Sequence, residues 1–223
     1  MADRALQILR DLIAIPSVNP MRLDVSEPIE RGVAVYLDGI LRREGIDCER
    51  QEVVKGRENL IAVVDPTVSE EKGVRSGLMF NSHMDTVPVE NMTIEPFDPV
   101  IKNERVYGRG ACDAKGSIAA MVEAVIAYAK SPVRRSKVIF SATVDEEFSF
   151  SGALKLIEKQ LPIAACVTGE PTNLNSIIAH KGVARWHAKV LGVSAHGAIP
   201  HLGRSAICDG ARCSGVGGLR QRA

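Results

Sequence analysis

Aromatic residues are scarce in this chain: Phe, Trp and Tyr make up 4% of its 223 residues. The core therefore has to rest on Val, Ile, Leu, Ala and Met. Long apolar runs are missing as well, since none approaches the ~20 residues that span a bilayer. The charged, amphipathic residues 1–10 lack the apolar core and small-residue cleavage site of a secretory leader. No excess of one charge is present either. A net charge of +1 gives no general pull toward nucleic acid or an anionic membrane, so neither is expected as a partner. The cysteines (Cys48, Cys112, Cys166, Cys208 and Cys213) are odd in number and show no CxxC spacing. That fits reduced thiols in a cytoplasmic protein rather than a disulfide framework. What remains is the balance of an ordinary soluble protein with one large or two modest domains.

Periodicity supplies the elements. Ala5, Ile8, Leu9, Leu12 and Ile13 recur at helical spacing over 3–14, and Pro16 stops that helix. A second helix is expected to start near Ser26, with Pro28 in its first turn, and to end at Gly45. Strands are expected at about 47–54 and 59–64, followed by a polar loop over 65–76 and a buried strand ending at His83. A hairpin over 99–107, an apolar helix over 116–129, a strand over 137–144, a short helix over 151–159 and a strand over 163–167 follow. This alternation predicts an α/β architecture with a largely parallel sheet. Residues 183–193 alternate like an exposed strand, so a domain boundary is expected near 181.

The chemistry lies at the ends of these strands. In an extended chain His83 and Asp85 point to the same side. They stand where α/β proteins place their sites, at the carboxyl end of a strand. An imidazole that binds a metal usually gives its other N–H to a carboxylate, which fixes its tautomer and ring orientation. Asp145-Glu146-Glu147 and Glu170 end two further strands, and Asp113 sits between the glycine-rich run 108–116 and a helix. Each has an ordinary reading alone: a helix N-cap for Asp113, a solvated turn for the acidic triplet, a loop position for Glu170. Their joint occurrence at the ends of elements is the signal. Imidazole plus carboxylates, without paired Cys, suits zinc, cobalt or manganese in a hydrolytic site. If the chain is extended at Glu146-Glu147, the two side chains diverge, so one can hold a metal while the other reaches a water. The glycine-rich run is neither a phosphate loop nor a dinucleotide fingerprint, and Cys112 reads as a small packed residue.

Ser82-His83-Met84-Asp85-Thr86-Val87-Pro88, Gly108-Arg109-Gly110-Ala111-Cys112-Asp113-Ala114-Lys115-Gly116, Asp145-Glu146-Glu147 and Gly169-Glu170-Pro171-Thr172 occur in that order. Together they resemble the acetylornithine deacetylase / succinyl-diaminopimelate desuccinylase family of di-metal amidohydrolases, relatives of aminoacylase-1 and carboxypeptidase G. The resemblance implies a zinc-exopeptidase-like three-layer α/β domain with a mostly parallel mixed sheet over 1–180. It also implies the beginning of an inserted α+β lid or dimerisation domain over 181–207. Two divalent metal ions are implied, zinc first, with cobalt or manganese as alternatives. The implied substrate is a small N-acyl amino acid or dipeptide-like molecule, and the implied assembly is a homodimer.

Carried over by residue, His83 and Glu170 ligate the first metal, with Asp85 behind His83. Asp113 bridges the two metals beside a cis peptide to Ala114, and Glu147 ligates the second. Glu146 is the general base, and His196, in the segment 192–200, stabilises the tetrahedral intermediate. His180, His187 and His201 are expected to be structural. Family members run longer and complete the second metal's shell with a later histidine. The Gly- and Arg-rich residues 208–223 lack the periodicity of the family's lid helix and read as an atypical tail, as after a frameshift or early stop. The expectations are therefore an amide hydrolase or an inactive fragment that keeps at most one metal site or a residual interaction surface.

Overall fold

The computed structural model describes residues 2–21, 28–68 and 77–182, together with 196 and 198. The chain divides into two compact units, Met1–Ser176 and Ile177–Ala223. The first unit contains a five-stranded mixed sheet of order β1-β2-β6-β3-β7. Its strands are β1 (Asp47–Val54), β2 (Arg57–Val64), β3 (Gly77–His83), β6 (Val138–Thr143) and β7 (Ile163–Thr168). The pairings β1·β2 and β2·β6 are antiparallel, whereas β6·β3 and β3·β7 are parallel. A hairpin of β4 (Val100–Lys102) and β5 (Arg105–Tyr107) stands apart from it, as its sequence pattern predicts.

Helices cover both faces of the sheet. Side chains alternate across a strand, so Leu60, Ala62 and Val64 of β2 share one face with Phe140 and Ala142 of β6. That face packs under α1 (Ala2–Ala14), α2 (Arg31–Arg43) and α3 (Lys115–Ala129). The other face carries Ile61, Met79 and Ile139, which meet Leu156 of α4 (Ser151–Ile157). Every residue of β6 is buried. This two-sided cover explains why Val138, Ile139 and Phe140 run together instead of alternating with charged residues, and why only the small polar Ser141 and Thr143 interrupt the strand. Emptying the centre, for example by Phe140→Ala, would cost about 3–5 kcal/mol.

The helix ends show local logic. Helix α2 buries Val33, Leu37 and Leu41, four residues apart on one stripe. Its end is a Schellman motif in which Gly45, at φ 76°, gives its N–H to Arg42 O and Ile46 gives its N–H to Leu41 O. The helix starts at Arg31, later than its sequence predicts, and Ser26 lies outside the described residues. Glu30, at the position before it, makes no side-chain cap, because its carboxylate is turned inward onto Arg57. No helix among the described residues is long and apolar enough to cross a membrane. Cys48, Cys112 and Cys166 are free thiols.

Candidate metal centre

Parallel pairing brings the chemistry together. β3 and β6 align His83 with Thr143, so Asp145-Glu146-Glu147 begins just past the level of His83. β3 and β7 align Asn81 with Thr168, and continuing that register puts Glu170 level with His83. The backbone is pinned there: Gly169 donates its N–H to Asn81 O at 2.8 Å, and Ser82 Oγ donates to Gly169 O at 3.1 Å. Only glycine suits position 169, where a Cβ would stand 2.6 Å from the Ser117 Cβ on α3. Asp113 arrives from the turn before α3, and its peptide bond to Ala114 is cis, as the family resemblance implies.

The side chains converge. His83 Nε2 donates to Asp113 Oδ1 at 2.9 Å and lies 3.9 Å from Glu170 Oε1. Donor atoms of His83, Asp113 and Glu147 all fall within 4.8 Å of one another. An imidazole and carboxylates in this proximity match the hard and borderline donors that divalent zinc, cobalt or manganese prefer. His83 Nδ1 donates to the backbone carbonyl of Asp85 at 2.9 Å, with the Asp85 carboxylate at 3.5 Å. The acceptor is therefore the main chain rather than the carboxylate that the i, i+2 spacing points to. Orientation of the ring results either way.

Electrostatics mark the cluster as short of positive charge. Burial and the Asp113 carboxylate raise the Glu147 carboxyl to about 7, with His83 pulling the other way. Burial raises the Glu170 carboxyl to about 7 as well, with His83 opposing and Asp113 and Glu146 adding to it. Burial alone would lower the His83 imidazolium, but its hydrogen bonds to Asp113 and Asp85 and the charges of Asp85 and Glu170 push it up to about 11. A proton on His83 thus stands where these anions call for a cation.

Glu146 and Glu147 differ from the extended strand end that their sequence suggests. Asp145, at φ 62°, turns the chain, and residues 146–149 form a turn. The cause is the Asp85 carboxylate, whose two oxygens accept the backbone N–H groups of Glu146 at 3.1 Å and Glu147 at 3.2 Å. Burial would raise the Asp85 carboxyl, but His83, the Asn19 amide and the Glu146 N–H together depress it.

Four residues support the proposed centre in ways that sequence reasoning did not assign. Asn19, Arg57 and Asp145 form a buried polar network behind it. Lys115 is buried and donates to Leu12 O at 2.9 Å and Ile15 O at 2.7 Å, tying the Asp113 turn to the end of α1. Burial lowers its ammonium to about 7. For three of them the available signal was position beside or within a motif: Asn19 before Pro20, Lys115 two past Asp113, Asp145 heading the acidic triplet; Arg57 carried none. His196 and His180 belong to the second unit. His196 is exposed and its Nδ1 accepts the Ala198 N–H at 3.2 Å, while His180 Nδ1 contacts Lys181 O at 3.0 Å. His187, His201, the strand expected at 183–193 and the tail 208–223 lie outside the described residues.

An α/β sheet with an imidazole and carboxylates at the carboxyl ends of its parallel strands defines a candidate hydrolase-type metal centre. The chain belongs to peptidase family M20/M25/M40, whose model matches residues 79–204. It is 33% identical over 225 residues to a succinyl-diaminopimelate desuccinylase of Cupriavidus taiwanensis, covering 92% of this chain and 55% of that protein. The chain thus spans about half the length of the curated relatives it matches. Its fold is similar to that of a Staphylococcus aureus tripeptidase, with TM-score 0.65 at 22% identity, over 97% of this chain and 56% of the other. An M20 family metallo-carboxypeptidase from Sulfolobus solfataricus aligns with TM-score 0.62 at 22% identity, over 75% of this chain and 37% of that one.

Proposed function

We propose that this chain carries the centre of a metal-dependent amide hydrolase acting on N-acyl amino acids. The observation that supports it most is the convergence of His83, Asp113 and Glu147 donor atoms within 4.8 Å, with Glu170 3.9 Å from His83. The reading assigns His83 and Glu170 to one divalent ion, Glu147 to a second and Asp113 to both, with zinc the first choice and cobalt or manganese alternatives. Bound there, divalent ions supply Lewis acidity that polarises a carbonyl and acidifies a water.

The protein's own groups do the rest. Glu146 takes the proton of the attacking water and delivers it to the departing amine. Asp85 holds the backbone of Glu146 and Glu147 in place. His196 is proposed to donate to the developing oxyanion, across a homodimer as the family resemblance implies. Products are a carboxylate and a free amino acid. The acyl group is proposed to be succinyl, after the relative named a succinyl-diaminopimelate desuccinylase, with acetyl, as in acetylornithine, the alternative. The free thiols support a reducing compartment such as the cytoplasm.

The test is metal content after dialysis against zinc or cobalt, alongside hydrolysis of N-succinyl and N-acetyl amino acids and of dipeptides. Stoichiometric metal that is lost in His83→Ala is expected. A chain that retains no metal, or turnover that survives chelation, overturns the proposal.

A further inference from the structure

We propose that Asn19 is a positioning residue for the metal centre: its side-chain amide, held between Asp85 and Asp145, sets where the Glu146-Glu147 turn stands relative to His83. The inference rests on the metal-centre reading given above and adds to it a residue that touches none of the ligands.

Asn19 is fully buried. Its Nδ2 carries two hydrogens, and each has an acceptor: Asp85 Oδ2 at 2.8 Å and Asp145 Oδ1 at 2.9 Å. Its Oδ1 accepts the Met21 N–H at 2.9 Å. The orientation of the amide follows from this network, because the flipped form would turn its oxygen toward two carboxylates. The backbone of Asn19 is equally fixed. It donates to Thr86 O at 2.8 Å, Thr86 N donates to Ser17 O at 2.9 Å, and Ser17 Oγ donates to Met84 O at 2.7 Å. Residues 17–19 therefore lie along 84–86, joined by a parallel bridge between Val18 and Thr86. A segment that reads as a loop in the sequence is one wall of the centre.

The two carboxylates that Asn19 joins both govern the turn. Asp85 receives the N–H groups of Glu146 and Glu147. Asp145 is the residue from which the turn departs, and its Oδ2 accepts the hydroxyls of Ser149 and Ser151. Its Oδ1 also accepts Arg57 Nη1 at 3.3 Å, and Arg57 is held in turn by both oxygens of Glu30. Asp85 and Asp145 are like charges in a buried place, where repulsion is weakly screened. The Asn19 amide is the neutral donor between them. Without it, the uncompensated repulsion drives the turn away from Asp85, carrying Glu147 away from His83 and Asp113.

Cobalt(II) affinity of the complete 223-residue chain, read by visible absorption, tests this. Asn19→Ala is expected to weaken cobalt binding by about 10–100-fold, the usual effect of removing a group that orients metal ligands. Leu41→Ala, a core change in α2, serves as a control for general destabilisation and should leave affinity within about twofold. The decisive measurement is a cycle with Glu147→Gln. If Asn19 acts through the turn, its removal in the Glu147→Gln background should have little further effect, because the ligand it positions is already gone. Should Asn19→Ala fail to fold, Asn19→Asp keeps the shape, replaces the donor by a third carboxylate and carries the same expectation. Wild-type-like affinity in the Asn19 variants, or the same loss with and without Glu147, overturns this inference alone. An unaltered chain that binds no cobalt overturns the metal-centre reading and this inference with it.

Discussion

Asp85 Oδ1 accepts the backbone N–H of Glu146 at 3.1 Å. The carboxylate that flanks the proposed ligand His83 therefore also holds the proposed general base. Ligand and base come from different strands, β3 and the turn after β6, and this contact ties their positions together. Asp85→Asn keeps the size but replaces one acceptor oxygen by a donor, leaving at least one buried N–H group of the turn facing another donor. An unsatisfied buried group costs about 1–3 kcal/mol. Chemical denaturation should show a loss of that size, and zinc affinity should fall by about 10–100-fold. Unchanged affinity would detach Asp85 from the centre.

The adjacent glutamates should separate by role. Glu147→Gln removes a proposed ligand, so metal content should drop. Glu146→Gln should retain metal, because its proposed partner is a water. Hydrolysis of an N-acyl amino acid by that variant should fall by about 10²–10⁴-fold, the usual contribution of a general base. Metal loss in Glu146→Gln with retention in Glu147→Gln would mean that the two assignments are exchanged.

Stability without metal should fall as pH rises from about 5 to 7. Glu147 and Glu170 carry folded-state values raised to about 7 by burial and neighbouring carboxylates. The folded chain therefore holds more protons than the unfolded chain between the ordinary carboxyl range and 7, and stability declines across that window. The His83 imidazolium, raised to about 11, acts in the same direction above its ordinary range, while Lys115, lowered to about 7 by burial, opposes it above pH 7. Metal competes with these protons, so its affinity should rise with pH over the same window. Denaturation of the chelator-treated chain at pH 5, 6 and 7, with and without added zinc, reads both slopes. Glu147→Gln should flatten the metal-free one.

That the proposed ligands stand together, and the scaffold beneath them, was legible in the sequence because they sit at the ends of recognisable elements. His83, Asp113, Glu147 and Glu170 each follow or precede a segment whose periodicity is clear, and parallel pairing does the rest. Less legible was whatever depends on contacts distant in sequence. The start of α2 moved to Arg31 because Glu30 is recruited by Arg57, 27 positions away. The Glu146-Glu147 pair became a turn because Asp85, about 60 residues earlier, accepts both N–H groups. No local pattern encodes either choice. Asn19 shows the same limit, since its residue type suits a loop and only the fold reveals two carboxylates against its amide.

The Glu30–Arg57 pair offers a last test, of whether the network behind the centre is a unit. Both side chains are almost fully buried, and Arg57 links Glu30 to Asp145. Burial raises the Glu30 carboxyl while Arg57 opposes that rise. Breaking a buried pair by removing one partner costs about 3–5 kcal/mol, because the other charge is left uncompensated, whereas replacing both by apolar groups is often far less harmful. Arg57→Met alone should therefore destabilise the chain severely, and adding Glu30→Met should recover much of the loss. The double variant still lacks the Arg57 contact to Asp145, so recovered stability should come without full recovery of metal affinity. Denaturant midpoints and zinc titrations on the two variants measure both quantities. A double variant that regains affinity along with stability would show that Arg57 supports the fold but not the position of Asp145.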